Sequence, residues 1–478
     1  MSKNYSRIYI TWFGIMLSLA SCNIPKITEK AALTADLPVD YVGKTDSSNM
    51  ARVQWKDYFT DQQLRNLIDS ALSHNQELNI MLQEINMSGN EIRARKGEYL
   101  PFVGAKLGGG AEKRSEYTTL GATERRIDII DGKENPDPMP DIGVSVFANW
   151  EIDIWNKLHN AAKEAQLEYL STIEGKNFML TNLVAEIANL YYELLALDQE
   201  KLLVEQNLKL QSDALELVKL QKIATRVTEL AVKKFQAEVL KTQSLRYKID
   251  QQIVETENKL NYLVGQYPQH ILRDQNGLNP ALLPTVHEGL PAQLLDNRPD
   301  VRKAELLMAA AKLDVKVAKA RFYPALGISA NLGYQAFNPA YLLKTPQSLI
   351  YSITGDLIAP LVNKRAIEAE YLNANAKQIQ TVYSYEQTLL NAYVEVANQL
   401  AKLKNMSQVT DLGTKQVDTL TESVQISYDL FNSAHADYME VLMTQRDAIE
   451  AKFELIESQK SQFNAAVNLY KSLGGGWH

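Results

Sequence analysis

Gly143-Val144-Ser145-Val146-Phe147-Ala148-Asn149-Trp150-Glu151-Ile152, followed shortly by Asn156-Lys157, is the passage on which the fold turns. Val144, Val146, Ala148, Trp150 and Ile152 fall on one face at a period of two, and Gly143, Ser145, Phe147, Asn149 and Glu151 fall on the other. This is a strand with one apolar and one mainly small or polar face. After Lys157 the period changes. No proline lies between Pro140 and Pro268, and that interval holds only Gly143, Gly175 and Gly265. A proline inside a helix costs about 3 kcal/mol and a glycine about 1, so one long helix is expected over roughly 157–226. Leu183, Ile187, Leu190, Leu194 and Leu197 keep a 4-3-4-3 spacing, and the register runs on through Lys201, Val204, Leu208, Gln211, Leu215 and Val218. Such spacing means coiled-coil packing. Lys201 and Gln211 in the seam point to helices laid side by side as a wall rather than to one dry dimer seam.

Outward from this passage the pattern recurs. Val103, Ala105 and Leu107 alternate with Gly104, Lys106 and Gly108 on the preceding strand. A second pair follows: Leu326, Ile328, Ala330, Leu332 and Tyr334 against Gly327, Ser329, Asn331 and Gly333, then Leu349, Tyr351, Ile353 and Leu357 against Ser352, Thr354 and Asp356. No proline follows Pro360, so a second long helical stretch is expected there. Its seam shows at Leu389, Tyr393, Val396, Leu400 and Leu403, and another at Ile249, Ile253, Thr256, Leu260 and Leu263. Asn156-Lys157 matches Asn363-Lys364, Tyr99-Leu100-Pro101 matches Phe322-Tyr323-Pro324, and Leu263-Val264-Gly265 matches Leu473-Gly474-Gly475. Each half reads helix, strand, strand, long helix, turn, helix, which is the mark of a duplication.

Strands of about ten residues suit a tilted crossing of a bilayer. A half-buried sheet in a water-soluble protein carries the same alternation, so the N terminus decides between the two. Lys3 and Arg7 precede an apolar run over 8–20, and Leu19-Ala20-Ser21 leads to Cys22, the single cysteine of the chain. The run is too short to span a membrane and fits a signal peptide. Small residues before a cysteine resemble the bacterial lipoprotein signal, with Cys22 as the lipidated residue and the lipid as the only covalent group expected. In lipid only a closed barrel satisfies strand backbones, and bacterial barrels begin at about eight strands. Four strands per chain therefore imply several chains sharing one barrel. Three chains would give twelve strands.

Together these residues resemble the TolC-like outer-membrane efflux protein family, in its lipoprotein branch serving resistance-nodulation-division pumps (NodT/OprM-like). The most specific likeness is Leu294-Leu295-Asp296-Asn297-Arg298-Pro299-Asp300-Val301-Arg302-Lys303-Ala304-Glu305, and a second covers 55–101. The resemblance implies a mainly α chain whose long helical hairpins form a periplasmic α-barrel. It also implies a homotrimer with a transmembrane 12-stranded β-barrel, set in the bacterial outer membrane. Its partners would be a periplasmic adaptor (membrane fusion) protein and an inner-membrane resistance-nodulation-division transporter, and the channel would conduct drugs or other small molecules passively. It places a gate where the long helices turn, near 223–230 and 428–438, making Arg226, Tyr428, Asp429 and Asp437 the gate candidates. Arg298, Pro299 and Asp300 read as a structural signature: Asp296 or Asn297 as cap, Pro299 in the first turn, Asp300 at the positive end of the helix dipole.

The expected organisation is a signal at 1–21, a lipidated segment at 22–55, one repeat at 56–265, a linker at 266–290 and a second repeat at 291–478. The connections at 112–141 and 335–347 are expected outside the cell. A net charge of −7 argues against nucleic acid. No catalytic pattern stands out: the six histidines are scattered without His-Glu-x-x-His spacing, and Gly108-Gly109-Gly110 lacks the Lys-Ser/Thr of a phosphate loop. No enzyme, metal or cofactor is expected. Two rivals share features: the channel of a type I protein-secretion system, and a periplasmic coiled-coil structural lipoprotein, which has no use for four lipid-length strands.

Overall fold

A computed structural model describes residues 50–274, 291–433 and 435–477, together with 24–28, 30, 38, 41, 277, 278 and 289. Cys22 lies outside these residues. The elements, in chain order, are α1 (Gln62–His74), α2 (Gln76–Glu98), β1 (Phe102–Glu112), α3 (Thr119–Arg126), β2 (Met139–Ile152), α4 (Lys157–Ile223), α5 (Glu229–Val264), α6 (Pro299–Ala320), β3 (Ala325–Ala336), β4 (Leu349–Ile358), α7 (Arg365–Asn432) and α8 (Tyr438–Ser472). The chain gathers into two compact units, one of residues up to 31, 87–169 and 306–382, the other of 32–86, 170–305 and 383–478.

The first unit carries one antiparallel sheet in the order β1-β2-β3-β4. Directly opposed residues share a face, and the register carries the sequence alternation across all four strands. Ala105, Val146, Leu332 and Tyr351 form one cross-strand row, and Val103, Ala148, Ala330 and Ile353 the next. Phe102, Asn149, Ser329 and Thr354 form a row on the other face, as do Gly104, Phe147, Asn331 and Ser352. Each long helix opens on an asparagine in left-handed backbone, Asn156 at φ 56° and Asn363 at φ 57°. Asparagine tolerates that region better than other side chains, which explains the matched Asn-Lys pairs.

The second unit holds the main core. Leu64, Ile68 and Ala71 of α1, Ile187, Tyr191 and Leu194 of α4, Leu260 of α5 and Leu469 of α8 are all fully buried. The spacing read from sequence is the packing seam: Ile249, Ile253, Thr256, Leu260 and Leu263 are buried together along α5. Of the two polar seam positions, Lys201 pairs with Asp250 across the hairpin at 2.8 Å, and Gln211 is buried. α5 stops where Gly265 turns left-handed at φ 74° and the N–H of Gln266 donates to Asn261 O at 2.8 Å.

The signature segment has a different cap from the one expected. Leu294–Asn297 forms its own short turn, Arg298 is extended, and Pro299 starts α6. The cap position belongs to Arg298, because proline pushes its predecessor out of helical backbone. Arg298 is 5% exposed. Its guanidinium donates to both carboxylate oxygens of Asp300 (3.0 and 2.7 Å), to Glu395 Oε2 of α7 (2.8 Å) and to the carbonyl of Ser472 at the end of α8 (2.9 Å). Burial disfavours its charge, but Asp300 and Glu395 outweigh that and hold its pKa above the ordinary arginine value. Asp300 thus serves as the counter-charge of Arg298 as well as an acid at a helix start.

Candidate functional site

Two places invite a functional reading: the faces of the sheet, and the turns of the helical hairpins. On the sheet, apolar side chains stay uncovered by the chain itself; Leu332 is 58% exposed, Tyr351 79% and Ile353 78%. An exposed apolar face this continuous marks an interaction with lipid or another chain. The opposite face borders a hollow of about 570 Å³ lined by Lys106, Ser145, Asn149, Asn331, Gln335 and Ser352 among others. Gln335 Nε2 donates to both oxygens of Asp141 there, at 2.8 and 2.9 Å. Phe102 and Phe147 are aromatic exceptions on this face, their ring centroids 6.0 Å apart, and the Phe147 ring lies over Gly104, where any Cβ would meet it.

Aromatics gather at the helix end of the strands. Trp150 Nε1 donates to Tyr99 O at 3.0 Å, Trp155 Nε1 donates to Pro324 O at 2.8 Å, and Trp155 stacks on Tyr323 with ring centroids 4.7 Å apart. Tyr334 opposes Leu349 at the other end. Aromatic residues at both ends of an apolar band are the pattern of a membrane interface. Among the described residues no helix is long and apolar enough to cross a membrane.

The hairpin turns are compact. After α4 the N–H of Thr225, at φ 61°, donates to Lys222 O and that of Arg226 to Gln221 O, both at 2.9 Å. Thr228 then caps α5. α7 persists to Asn432, so Tyr428 and Asp429 sit in its last turns and not in the connecting turn. The four gate candidates differ in kind. Arg226 is exposed. Asp429 is exposed, and its carboxylate accepts a long bond from Gln425 Nε2, at 3.3 Å. Asp437 caps α8, accepting from Met439 N at 2.6 Å and Glu440 N at 3.1 Å. Tyr428 is half-buried and accepts from Gln445 Nε2 of α8; burial pushes its phenol pKa up.

The two turns also touch, which the sequence did not reveal. A small core of Val218, Ala231, Val232, Phe235 and Val239 takes in Val227, Tyr438 and Leu442, so the start of α8 packs on the α4–α5 tip. Tyr438 and Phe235 fall outside the heptad seams read from sequence, and only their apolar character beside a turn could have marked them. No group of His, Cys, Asp and Glu able to hold a metal occurs among the described residues.

The model of the family described as outer membrane efflux protein matches residues 67–266 and 290–475. The pyoverdine export outer membrane protein OpmQ of Pseudomonas aeruginosa is 25% identical over 464 residues, covering 96% of this chain and 95% of the relative. The toluene efflux pump outer membrane protein TtgI of Pseudomonas putida is 26% identical over 469 residues, covering 97% of each. The open state of the MtrE outer membrane channel of Neisseria gonorrhoeae superposes with a TM-score of 0.81 at 19% identity, covering 95% of this chain and 98% of that one.

Proposed function

This chain belongs to the outer membrane efflux protein family, and on that premise we propose that it forms the outer-membrane exit duct of a tripartite export machine. It is a channel component and not an enzyme. Three copies share one barrel, lipid on Cys22 anchors each copy, and a periplasmic adaptor couples the duct to an inner-membrane resistance-nodulation-division transporter.

The observation that carries this reading is the sheet. Its apolar face runs unbroken across four strands of 11, 14, 12 and 10 residues, and β1 and β4 leave two long edges. In lipid such edges must be paired. Other copies of the chain supply partners without any further component. The polar face then lines the passage. α4 and α7, 67 and 68 residues long, each reach ~100 Å at 1.5 Å per residue, a length suited to a periplasmic tube. Ile24 and Ile27 pack on Phe322 and Tyr371 near the helix end of the sheet, which supports a lipid on Cys22, two residues earlier in sequence, reaching the membrane surface. Relatives at nearly equal identity are named for cargoes as unlike as pyoverdine and toluene, which supports a duct whose pump chooses the cargo.

Purified full-length protein in planar bilayers tests the reading. Native mass spectrometry should give trimers, and the bilayers should show discrete conductance steps. A monomer that stays in solution and conducts nothing would overturn it. A deletion strain separates cargo classes: hypersensitivity to several drugs supports efflux, whereas loss of one secreted protein with unchanged drug susceptibility assigns the channel to type I secretion.

A further inference from the structure

The connection between β1 and β2, residues 113–138, is a built object rather than a slack loop. It contains α3, capped by Thr118, whose hydroxyl accepts from Gly121 N at 3.2 Å. Asn135 staples it, donating to Glu124 O at 2.6 Å and Ile127 O at 2.7 Å while accepting from Ile129 N at 3.0 Å. Arg114 pairs with Glu124 at 2.7 Å, and Lys113 with Asp137 at 3.1 Å. Several of its polar groups are thus spent on each other. Its apolar groups are not: Leu120 is 63% exposed, Ile127 62% and Ile129 56%. An ordered segment that presents aliphatic side chains outward is a contact surface awaiting a partner.

The topology indicates which partner. β1 runs into this connection and is one edge of the sheet; β4 runs out of the 337–348 connection and is the other edge. In a ring of copies, β4 of the neighbouring copy stands antiparallel beside β1. The neighbour's 337–348 connection then lies against the 113–138 connection. That segment is also preformed and apolar: Phe337 and Tyr341 pack with centroids 5.5 Å apart, Lys344 Nζ lies 4.5 Å over the Tyr341 ring, and Leu343 is 77% exposed. The chain's own 337–348 connection leaves Leu120 and Ile127 uncovered.

We propose that the aliphatic side of the 113–138 connection is the docking surface for the 337–348 connection of a neighbouring copy, so that three such contacts interlock into a collar at the loop end of the shared barrel. The proposal rests on the shared-barrel reading above. The collar fastens the strand edges at the end remote from the long helices, and it frames the opening through which cargo leaves.

Leu120→Cys and Leu343→Cys, separately and together, test it in the full-length lipidated protein treated with a short bis-maleimide. Covalent dimers and trimers in the double variant, absent from each single variant, are expected. Native trimers without chain-to-chain bonds in the double variant would overturn the collar and leave the shared barrel standing; monomers would overturn both. As a second measurement, a bulky maleimide should label Leu120→Cys in intact trimers several-fold more slowly than Glu134→Cys at an exposed position of the same connection. Equal rates would overturn the proposal.

Discussion

Arg298 shows how much one side chain can hold at this scale. Its fork ties the start of α6 to α7 and to the end of α8. Arg298→Ala leaves Asp300 with a charge in a largely dry site, a loss of about 3 kcal/mol. Arg298→Lys keeps the charge but not the fork and should recover only part of it. Thermal melting of the detergent-solubilised trimer checks the order wild type, Lys, Ala; a lysine variant as stable as wild type would show that charge alone suffices. Asp437 poses the opposite question, since its carboxylate already has structural work as a helix cap. Asp437→Ala should cost ~1 kcal/mol, whereas Asp437→Asn keeps an acceptor and removes only charge. Single-channel recording of the asparagine variant then isolates the gate: unchanged conductance removes Asp437 from it.

Elements obey their periods, and that is why so much of them was legible. Strand alternation, the proline-free helices and the glycine stops are local signals, and they reappear as register, seam and cap. Unreadable were the contacts between distant positions. Arg298 meets Glu395 and Ser472, 97 and 174 residues away in sequence, and Tyr438 meets the α4–α5 tip. The helix within 113–138 was missed because polar, turn-rich sequence hides it. The two faces of β3 give a direct test. Ala330→Lys puts a charge on the proposed lipid face near mid-strand and should cost ~2–4 kcal/mol, whereas Ser329→Lys puts it on the face proposed to line the passage. Folded, outer-membrane trimer recovered on unheated gels should fall for the first and hold for the second; equal yields would contradict the assigned faces. Where α4 meets α8, Glu200 lies with Glu457, Glu193 and Lys460; burial, with the two acids adding and the lysine opposing, raises its pKa to about 7. A carboxyl whose folded pKa is raised disfavours folding once ionised, so this contribution worsens as pH climbs from its unfolded value of 4.5 to about 7 and is constant above. Glu200→Gln should therefore melt higher than wild type at pH 8, with the gain gone below pH 4.5.

For the whole molecule, the question is what holds it in the membrane. The proposed lipid on Cys22 is one answer. The sheet offers another. Each copy brings an apolar face of four strands, and closure removes the two edges that would otherwise leave backbone groups unpaired in lipid. On the shared-barrel proposal three copies insert through twelve strands, and the proposed lipid on Cys22 adds grip two residues before Ile24, which with Ile27 packs on Phe322 and Tyr371. Insertion by the barrel is collective, because no single sheet is satisfied alone, so assembly and membrane entry should be one event. It follows that Cys22→Ala, exported with a cleavable signal, still gives barrel-inserted trimers at reduced yield. Membrane fractionation with carbonate washing and native gels reads this out: trimers should remain in the pellet. A soluble periplasmic product would mean that the lipid, and not the shared barrel, carries the protein into the membrane.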